Sequence, residues 1–160
     1  MDYKNKKLLR KMRRLLWLMG KFKIPMIAYV KPKILALDEE QIKVRIKLRR
    51  RTKNHLSSMY FGSLAVGADV AAGLHAFYFA ELAGEKISFA FKSVNGEFLK
   101  RATTDVVFIS KDGLVVKETF KEAMETKERI NRKVNVEVMD ANQEIVAKFV
   151  LEISVKVKTN

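Results

Sequence analysis

One carboxylate stands alone in a long apolar stretch of this chain. Residues 56–80 contain a single charged side chain, Asp69, close to their midpoint. An apolar environment disfavours the ionised form of a carboxyl group, so a buried acid is either paired with a neighbour or kept for chemistry. Two interpretations follow. Asp69 pairs with a buried hydroxyl or arginine in helix–sheet packing, or it is a general base or nucleophile beside a narrow apolar channel.

The residues at the start of this stretch could supply the other half of a site. Asn54 and His55 come just before or at its beginning, and Phe61 and Gly62 fall in the first turns of a predicted helix. Backbone N–H groups at a helix start have no partner within the helix and can hold an anion. A carbonyl bound between Asn54 and Asp69, with its oxygen at these amides, has the parts needed for acyl transfer to water. The same residue types are common caps, so a purely structural role stays open.

The spacing of side chains predicts a helix over residues 58–82. Its length would allow a membrane span, but Asp69 and His75 favour a helix buried within a globular fold. One face combines small residues with Asp69, and the bulky opposite face is expected to anchor in a sheet. The small face comprises Ser58, Gly62, Ala65, Asp69, Ala72, Gly73 and Ala76, and the bulky face comprises Phe61, Leu64, Leu74, Tyr78 and Leu82. A helix that is apolar on nearly every side must be wrapped, and a curved sheet is the other element available.

Alternating apolar residues predict the strands of that sheet. Residues 41–49 alternate between an apolar and a basic face, and residues 144–158 alternate over a longer span. Further strands are expected at residues 26–37, which Pro32 interrupts, and at residues 87–94, 102–110 and 129–139. Asn95-Gly96 is a hairpin signal, and residues 140–143 are a weaker one. Residues 111–125 are ambiguous and can hold a short helix capped by Asp112. The predicted fold class is α+β, a mostly antiparallel curved sheet around a long central helix.

The first 23 residues form a separate basic unit in this prediction, and residues 24–160 form the main domain. Residues 2–20 show the repeat of an amphipathic helix, with basic residues opposite the apolar stripe. The stripe could lie on an anionic membrane surface, or it could pack on the body of the protein or on a partner subunit. Basic residues interrupt the apolar ones, unlike in a secretory signal. We therefore expect a cytoplasmic protein, with attachment to the inner face of the membrane as one option.

Positive charge is concentrated at the N-terminal end. Residues 1–53 contain 18 Lys and Arg against four Asp and Glu, and the remaining 107 residues carry 14 of each sign, which leaves the chain at +14. Such asymmetry favours anionic partners, namely phospholipid headgroups, nucleic acid or phosphate-bearing ligands such as coenzyme A, although basic charge also serves solubility alone. Nucleic acid is disfavoured, because Trp17, Phe22 and Tyr29 do not interleave with basic residues as a base-stacking platform would.

Two residue counts argue against whole classes of site. The chain has no cysteine and two histidines, His55 and His75. Without cysteine there is no disulfide framework, no thiolate chemistry and no Cys/His zinc site, and two histidines argue against a His-rich catalytic metal site. We therefore expect neither a bound metal nor a resident cofactor.

The run from Asn54 through Gly62 and Asp69 to Gly73, with the strand order around it, resembles the hot-dog superfamily. The similarity is to acyl-CoA thioesterases of the phenylacetyl-CoA type and to a related uncharacterised branch, and it covers roughly residues 24–158. It implies a curved antiparallel sheet around a central helix, and hydrolysis of an acyl-CoA or acyl-carrier thioester to a free acid and a thiol. Coenzyme A then enters as part of the substrate. The resemblance also implies a homodimer, often paired into tetramers, with facing central helices and sites at the interface.

The resemblance further assigns roles to individual residues. The positions that handle the thioester in the family are occupied here by the Asn54 side chain, the backbone amides of Phe61 and Gly62, and the Asp69 carboxyl. Basic side chains commonly contact the phosphates of coenzyme A in this superfamily. The basic ladder of Lys43, Arg45 and Lys47 and the run 49–53 could make such contacts here, or could be solvated sheet surface. Arg51 and Lys53 are the expected contacts, because they adjoin the loop that carries Asn54.

One motif departs from the family pattern. Many members carry His-Gly-Gly where this chain has Tyr60-Phe61-Gly62, and His55, five residues earlier, is the available substitute. The departure leaves a second function open, a non-catalytic protein that binds acyl-CoA or a fatty acid. Attachment to a membrane through residues 2–20 is compatible with either function.

Overall fold

The computed structural model describes residues 3–158. Asp2, predicted to begin the first helix, and residues 159 and 160 of the predicted main domain lie outside that range. The elements follow in this order: α1 (Tyr3–Phe22), α2 (Pro25–Val30), β1 (Lys33–Leu37), β2 (Ile42–Ile46), a 3₁₀ turn (Arg50–Thr52), α3 (Phe61–Ala83), β3 (Ile87–Phe98), β4 (Val106–Ser110), α4 (Gly113–Thr126), β5 (Ile130–Met139) and β6 (Ile145–Val157).

The six strands form one antiparallel sheet in the order β1-β2-β4-β5-β6-β3. Alternate residues of β2, β5 and β6 are buried against α3 and α4, as the period of two predicts. Within residues 3–158, β3 pairs with β6 alone, so one long edge of β3 stays unpaired. The prediction of a curved antiparallel sheet around a long central helix is confirmed.

Helix α3 is the core of the domain. It is long and apolar enough to cross a membrane by composition, but 78% of its most apolar window is buried inside the protein. Leu64, Leu74 and Tyr78 are buried as predicted. The prediction that Phe61 and Leu82 anchor in the sheet is wrong, because both side chains are exposed at the ends of the helix. The sheet covers the middle of α3 and leaves its termini open.

The segment expected to be a single strand over residues 26–37 is a helix followed by a strand. Pro25 occupies the first position of α2, where its fixed φ is pre-organised and its missing N–H costs nothing. Lys31 ends α2 in the left-handed conformation, with φ at 57°. Pro32 therefore separates a helix from a strand, and only Lys33–Leu37 is extended.

Helix α1 extends to Phe22, beyond the predicted end at Gly20, and packs on the body of the protein. Its apolar stripe is buried through Leu9, Met12 and Leu16. The Arg13 guanidinium donates two hydrogen bonds to the Ile34 carbonyl, at 3.0 and 2.8 Å, and Lys11 pairs with Glu81 of α3. Of the two alternatives for this stripe, packing on the protein is the one observed.

Of the two predicted turns, the stronger signal is not a turn and the weaker one is. Asn95-Gly96 is not a hairpin, because β3 continues through it and pairs Gly96 with Phe149 of β6. A Cβ on Gly96 would lie 2.7 Å from the Phe149 ring, so the glycine makes room for that ring. The weaker signal is a real turn, in which the Asp140 carboxylate accepts hydrogen bonds from the backbone N–H groups of Asn142 and Glu144.

Helix α4 resolves the ambiguity at residues 111–125. It begins directly after Asp112, as predicted, but the Asp112 carboxylate does not cap it. That carboxylate instead accepts hydrogen bonds from the backbone N–H and the side-chain amide of Asn135 on β5, at 2.7 and 2.8 Å. The side chain therefore ties the helix start to the sheet.

Candidate active site

Asp69 lies in the middle of α3 and lines an apolar cavity of about 290 Å³, here called the Asp69 cavity. The walls are α3, the hairpin of α1 and α2, and the start of β3. All the other lining residues are apolar: Leu16, Met19, Ile24, Ile27, Val70, Gly73, Leu74, Phe77, Phe89, Ala90 and Phe91. Such a cavity with one polar group is the common form of a site for an apolar ligand.

The Asp69 carboxyl is partly buried, and no described residue compensates for that burial. Among residues 3–158 it accepts no hydrogen bond and forms no ion pair, so the interpretation of Asp69 as an internally paired acid finds no contact here. Burial raises the pKa of Asp69 from 3.8 to about 6. A carboxyl group that titrates near neutrality is well matched to general base catalysis.

Asn54 organises the loop before α3. Its side-chain oxygen accepts hydrogen bonds from the backbone N–H of Leu56, at 2.9 Å, and from the N–H and hydroxyl of Ser58, at 3.2 and 3.1 Å. Its backbone N–H donates to the Ser58 carbonyl at 2.8 Å. The side-chain N–H₂ donates to no residue in the described range, so it is available to a ligand.

The first turn of α3 presents two free backbone donors. The N–H groups of Ser63 and Leu64 both donate to the Tyr60 carbonyl, whereas those of Phe61 and Gly62 donate to no described residue. Unpaired amides at the start of a 23-residue helix also benefit from the positive end of its dipole. They are therefore suited to hold a negatively charged oxygen.

The predicted site residues lie in two separate depressions of the protomer. Asn54, His55 and Phe61 line an open cleft of about 540 Å³, here called the Asn54 cleft, and Asp69 is not part of it. Gly62 and Asp69 lie seven residues apart on α3, which corresponds to about 10 Å along the helix axis. His55 is exposed in the turn after Asn54 and lies in the cleft, not in the Asp69 cavity. One protomer alone does not assemble all of these groups around one point.

Arg51 belongs to a strongly basic depression, here called the basic recess. It has a volume of about 260 Å³ and is lined by Val30, Lys31, Lys33, Arg45, Lys47, Arg49 and Arg51. None of these cations forms an ion pair within residues 3–158. Arg51 donates to the Tyr29 carbonyl at 3.2 Å and lies over the Tyr29 ring. Lys53 is exposed and does not line the recess.

Of the cations that line the recess, sequence reasoning missed Lys31 and Lys33. The alternation of β2 shows that Arg45 and Lys47 share one face, but not that β1 places Lys33 directly opposite Arg45. The buried Nε of Arg45 has no hydrogen-bond partner among the described residues. Unpaired cations in a concave site are suited to phosphate groups.

His75, the second histidine, belongs to the core. It is fully buried in α3, with Nε2 3.0 Å from the Asp38 carbonyl of the β1–β2 turn and its ring stacked on Phe79. Burial lowers its pKa, so it stays neutral and donates to that carbonyl. Among residues 3–158 no group of three His, Cys, Asp or Glu side chains could hold a metal ion.

Comparison with known proteins identifies the family. Residues 12–155 match the family described as a domain of unknown function, DUF4442. The chain belongs to this family. In sequence, no curated protein matches this DUF4442 chain.

Solved structures share the fold of this DUF4442 chain at low sequence identity. A protein of unknown function from Chlorobaculum tepidum superposes with a TM-score of 0.81 at 12% identity, over 97% of each chain. A candidate thioesterase from Shewanella oneidensis gives 0.79 at 14% identity, over 94% of this chain and 99% of its own. A thioesterase from Haemophilus influenzae gives 0.67 at 12% identity, over 91% and 90%. The chain has the hot-dog fold of these proteins, as the resemblance implied.

Two substitutions of Asn54 distinguish the role of its side-chain oxygen from that of its side-chain N–H₂ group. Asn54→Ala removes an oxygen that accepts three hydrogen bonds, and we expect it to lower the free energy of unfolding by about 2 kcal/mol. Asn54→Asp keeps an acceptor and removes the N–H₂ donor, so its stability should stay within about 1 kcal/mol of wild type. Chemical denaturation measures both. Equal destabilisation of the two variants would mean that this oxygen does not hold the loop.

Proposed function

We propose that this protein hydrolyses an acyl thioester, with an acyl-CoA as the substrate, to a carboxylic acid and a free thiol. The observation that carries the proposal is the unpaired Asp69 carboxyl, with its pKa raised to about 6, in the wall of an apolar cavity. An apolar cavity suits an acyl chain, and a base at its wall suits attack of water on the adjoining carbonyl.

The proposed reaction begins with the Asp69 carboxylate taking a proton from a water molecule as the water oxygen attacks the thioester carbonyl. The amides of Phe61 and Gly62 and the Asn54 side chain donate to the carbonyl oxygen as it gains negative charge. The C–S bond then breaks, and the sulfur receives the proton from Asp69. Water and thioester give one acid and one thiol. Direct attack by the carboxylate, followed by hydrolysis of the anhydride, has the same stoichiometry.

These groups meet if the site is shared between two subunits. The start of β3 lines the Asp69 cavity through Phe89 and Phe91, whereas its end lies at the Asn54 cleft, where the Phe98 and Phe61 rings are 6.4 Å apart. Two copies that pair antiparallel through their free β3 edges would set the start of one strand against the end of the other. The Asp69 cavity of each protomer would then face the Asn54 cleft of its partner.

The exposed surface along β3 supports this dimer. Val94, Phe98 and Leu99 are all more than half exposed, next to an edge whose N–H and C=O groups are unpaired in the described chain. An apolar, unpaired edge of twelve residues is a template for pairing with another strand. We propose the homodimer as the functional unit, which can pair further into a tetramer.

The basic recess supports coenzyme A as the leaving group. Arg51 lies three residues before Asn54, so the recess adjoins the loop of the Asn54 cleft. Phosphates held by Arg51 and its neighbouring cations would leave the thioester end free to reach the cleft. Arg51 keeps its proposed role, and Lys53, which lies outside the recess, is replaced in this proposal by Arg45, Lys47 and Arg49.

Mixing two inactive variants tests whether the site is shared. In a heterodimer of Asp69→Asn and Asn54→Asp, one site combines an intact Asp69 with an intact Asn54 of the partner subunit, and the other site has both defects. After subunit exchange of an equal mixture, half of the dimers are heterodimers, so we expect about a quarter of the wild-type rate of thiol release. A mixture in which no exchange has occurred is the control.

A site contained within one protomer predicts a different result of the mixing experiment. If each site lay within one protomer, every site of the heterodimer would carry one defect, and mixing would restore no activity.

The parent reaction is measured as thiol release from a panel of acyl-CoA chain lengths. Absence of release at every length would end the thioesterase proposal.

A second candidate is a binding protein for acyl-CoA or fatty acid without turnover. Tyr60-Phe61-Gly62 favours it, because the Tyr60 ring lies against Gly62 and no histidine stands at that turn. Such a protein would be protected by acyl-CoA against thermal unfolding and would leave the thioester intact after prolonged incubation. Protection together with thiol release excludes this candidate.

A further inference from the structure

A second exposed apolar surface lies far along the chain from the β3 edge. Five large apolar side chains within residues 17–29, here called the hairpin tip, are exposed: Trp17, Phe22, Ile24, Met26 and Tyr29. Trp17 is 59% and Phe22 is 68% exposed. Ile24 also lines the Asp69 cavity, but Trp17, Phe22 and Met26 line neither that cavity nor the Asn54 cleft, so the proposed dimer leaves them unexplained. Contiguous exposed apolar surface usually marks an interaction site.

The hairpin tip is exposed because each of its helices already buries its other face. Leu16 of α1 and Ile27 of α2 point into the protein, which leaves Trp17 and Met26 outside. Lys21 makes cation–π contacts with two of the rings. Its ammonium nitrogen lies 4.9 Å from the centre of the Trp17 ring and 5.1 Å from that of Phe22. The tip therefore mixes aromatic, aliphatic and cationic groups in one place.

The charge around the tip has one sign. Residues 3–37 contain eleven Lys and Arg and no Asp or Glu. In the described ion pairs, Lys11 is the member of this segment that meets an acid. Lys21, Lys23, Lys31 and Lys33 thus remain uncompensated by an ion pair within residues 3–158 and favour a polyanionic partner.

A groove beside Trp17 combines the two properties. It has a volume of about 540 Å³ and lies between α1, α2 and β1. Its floor includes Leu16, Ile27 and Ile34, and its rim includes Lys21 and Lys33. An apolar floor below a cationic rim fits an amphiphile with an anionic headgroup.

We propose that the hairpin tip docks on an anionic lipid surface. Trp17, Phe22 and Met26 enter the boundary between headgroups and acyl chains, and the lysines around them neutralise lipid phosphates. This mode differs from a membrane-bound apolar stripe of α1, because Leu9 and Met12 of that stripe are buried in the protein. The residues that distinguish this surface from the thioesterase site are Lys21, Phe22, Lys23 and Met26, which line neither the Asp69 cavity nor the basic recess.

Two other occupants fit the tip less well. A second copy of this chain would bring Lys21 and Lys23 towards the same cations across a two-fold axis, without an acid to offset them. Nucleic acid would neutralise the lysines and stack on the aromatic rings, but it would leave the aliphatic Ile24 and Met26 without an apolar partner. A lipid interface satisfies both the charge and the aliphatic side chains.

Trp17 makes the test direct, because it is the one tryptophan of the chain. The full-length protein is mixed with vesicles of phosphatidylglycerol and phosphatidylcholine, or of phosphatidylcholine alone. We expect a blue shift of tryptophan emission and co-sedimentation with the anionic vesicles, both weakened by salt. The zwitterionic vesicles should give neither.

Paired variants identify the surface. Phe22→Ser with Met26→Ser, and Lys21→Glu with Lys23→Glu, should each weaken vesicle binding by at least about tenfold. The matched control is Leu114→Ser, which removes a similarly exposed side chain from α4 and should bind as wild type does. Thermal unfolding of each variant checks that the fold is kept.

Three results would overturn the proposal. One is an unchanged emission spectrum with anionic vesicles, and another is equal binding to vesicles without anionic lipid. The third is a tip variant that folds normally and binds anionic vesicles as tightly as wild type. A blue shift produced by a single-stranded oligonucleotide, with none from vesicles, would assign the surface to nucleic acid instead.

Discussion

Asp69→Asn is expected to slow thiol release severely and, in the same protein, to raise the free energy of unfolding at pH 7. Loss of a general base typically costs 10²- to 10⁴-fold in rate, and we expect a fall of about 10³-fold here. The gain in stability arises because the carboxylate is partly buried without a partner among residues 3–158, whereas the amide carries no charge. The difference between a pKa of 3.8 and one of about 6 corresponds to roughly 3 kcal/mol, an upper bound because the amide also loses hydration.

The pH dependence of this effect has a definite sign. The folded protein binds the Asp69 proton more tightly than the unfolded chain, because burial raises the pKa of this group. The folded state therefore loses stability relative to the variant as pH rises from 3.8 to about 6, and the full difference is present above that value. Below pH 3.8 the two proteins should be nearly equal in this respect.

Two measurements separate the burial of Asp69 from its chemistry. Chemical denaturation at pH 4 and pH 7 reports the stability difference, and thiol release from acyl-CoA reports the reaction. Glu85→Gln, which removes an exposed acid just after α3, is the matched control and should change neither. A variant that keeps the wild-type rate contradicts the catalytic role, and one that is less stable at pH 7 contradicts the uncompensated burial.

Gly67→Ala is expected to destabilise the fold by about 2 kcal/mol, although alanine is the better helix former. A Cβ on Gly67 would lie 2.2 Å from two ring atoms of Phe108, which is fully buried on β4. Overpacking of this kind costs roughly 1–3 kcal/mol, while the gain in helix propensity is at most about 1 kcal/mol. The cost of overpacking therefore exceeds the gain in helix propensity, because α3 cannot move away from Phe108 without losing contact with the sheet.

Gly73→Ala is the control for this prediction. A Cβ there would lie 3.3 Å from the Phe89 ring and 3.4 Å from the Phe91 ring, which is tight but close to ordinary contact. The propensity gain and the crowding should nearly cancel, and the free energy of unfolding should stay within about 1 kcal/mol of wild type. Denaturant titration of both variants decides the matter. Equal stability of the two would show that Gly67 does not set the distance between α3 and the sheet.

Elements with a long and regular pattern were predictable from the sequence. The period of two in β5 and β6 and the 3.6-residue stripe of α1 show which face of each element is apolar, and that pattern lies within the element itself. Short segments were less predictable, because tertiary contacts override their propensity. Asn95-Gly96 has the composition of a turn, yet pairing along β6 and the room required by Phe149 keep it extended.

The candidate site was likewise only partly predictable from the sequence. Asp69 could be singled out from the sequence, because one charge in an apolar stretch is visible without coordinates. Its cavity could not, since the walls come from α1, α2 and β3, which are separated from α3 along the chain. The basic recess was likewise hidden, because the register that sets Lys33 opposite Arg45 depends on strand pairing.

The class of the fold, the central helix and the acid within it were all predictable from the amino-acid sequence. Each of these depends on side-chain periodicity, which reports whether a face is buried but not which element covers it. Only the packing of the described residues shows that Asp69 is unpaired among them and faces a cavity, that the apolar stripe of α1 is covered, and that the β3 edge and the hairpin tip are open within residues 3–158. Burial is a property of residues distant in the chain, and their meeting is decided by packing of the whole domain.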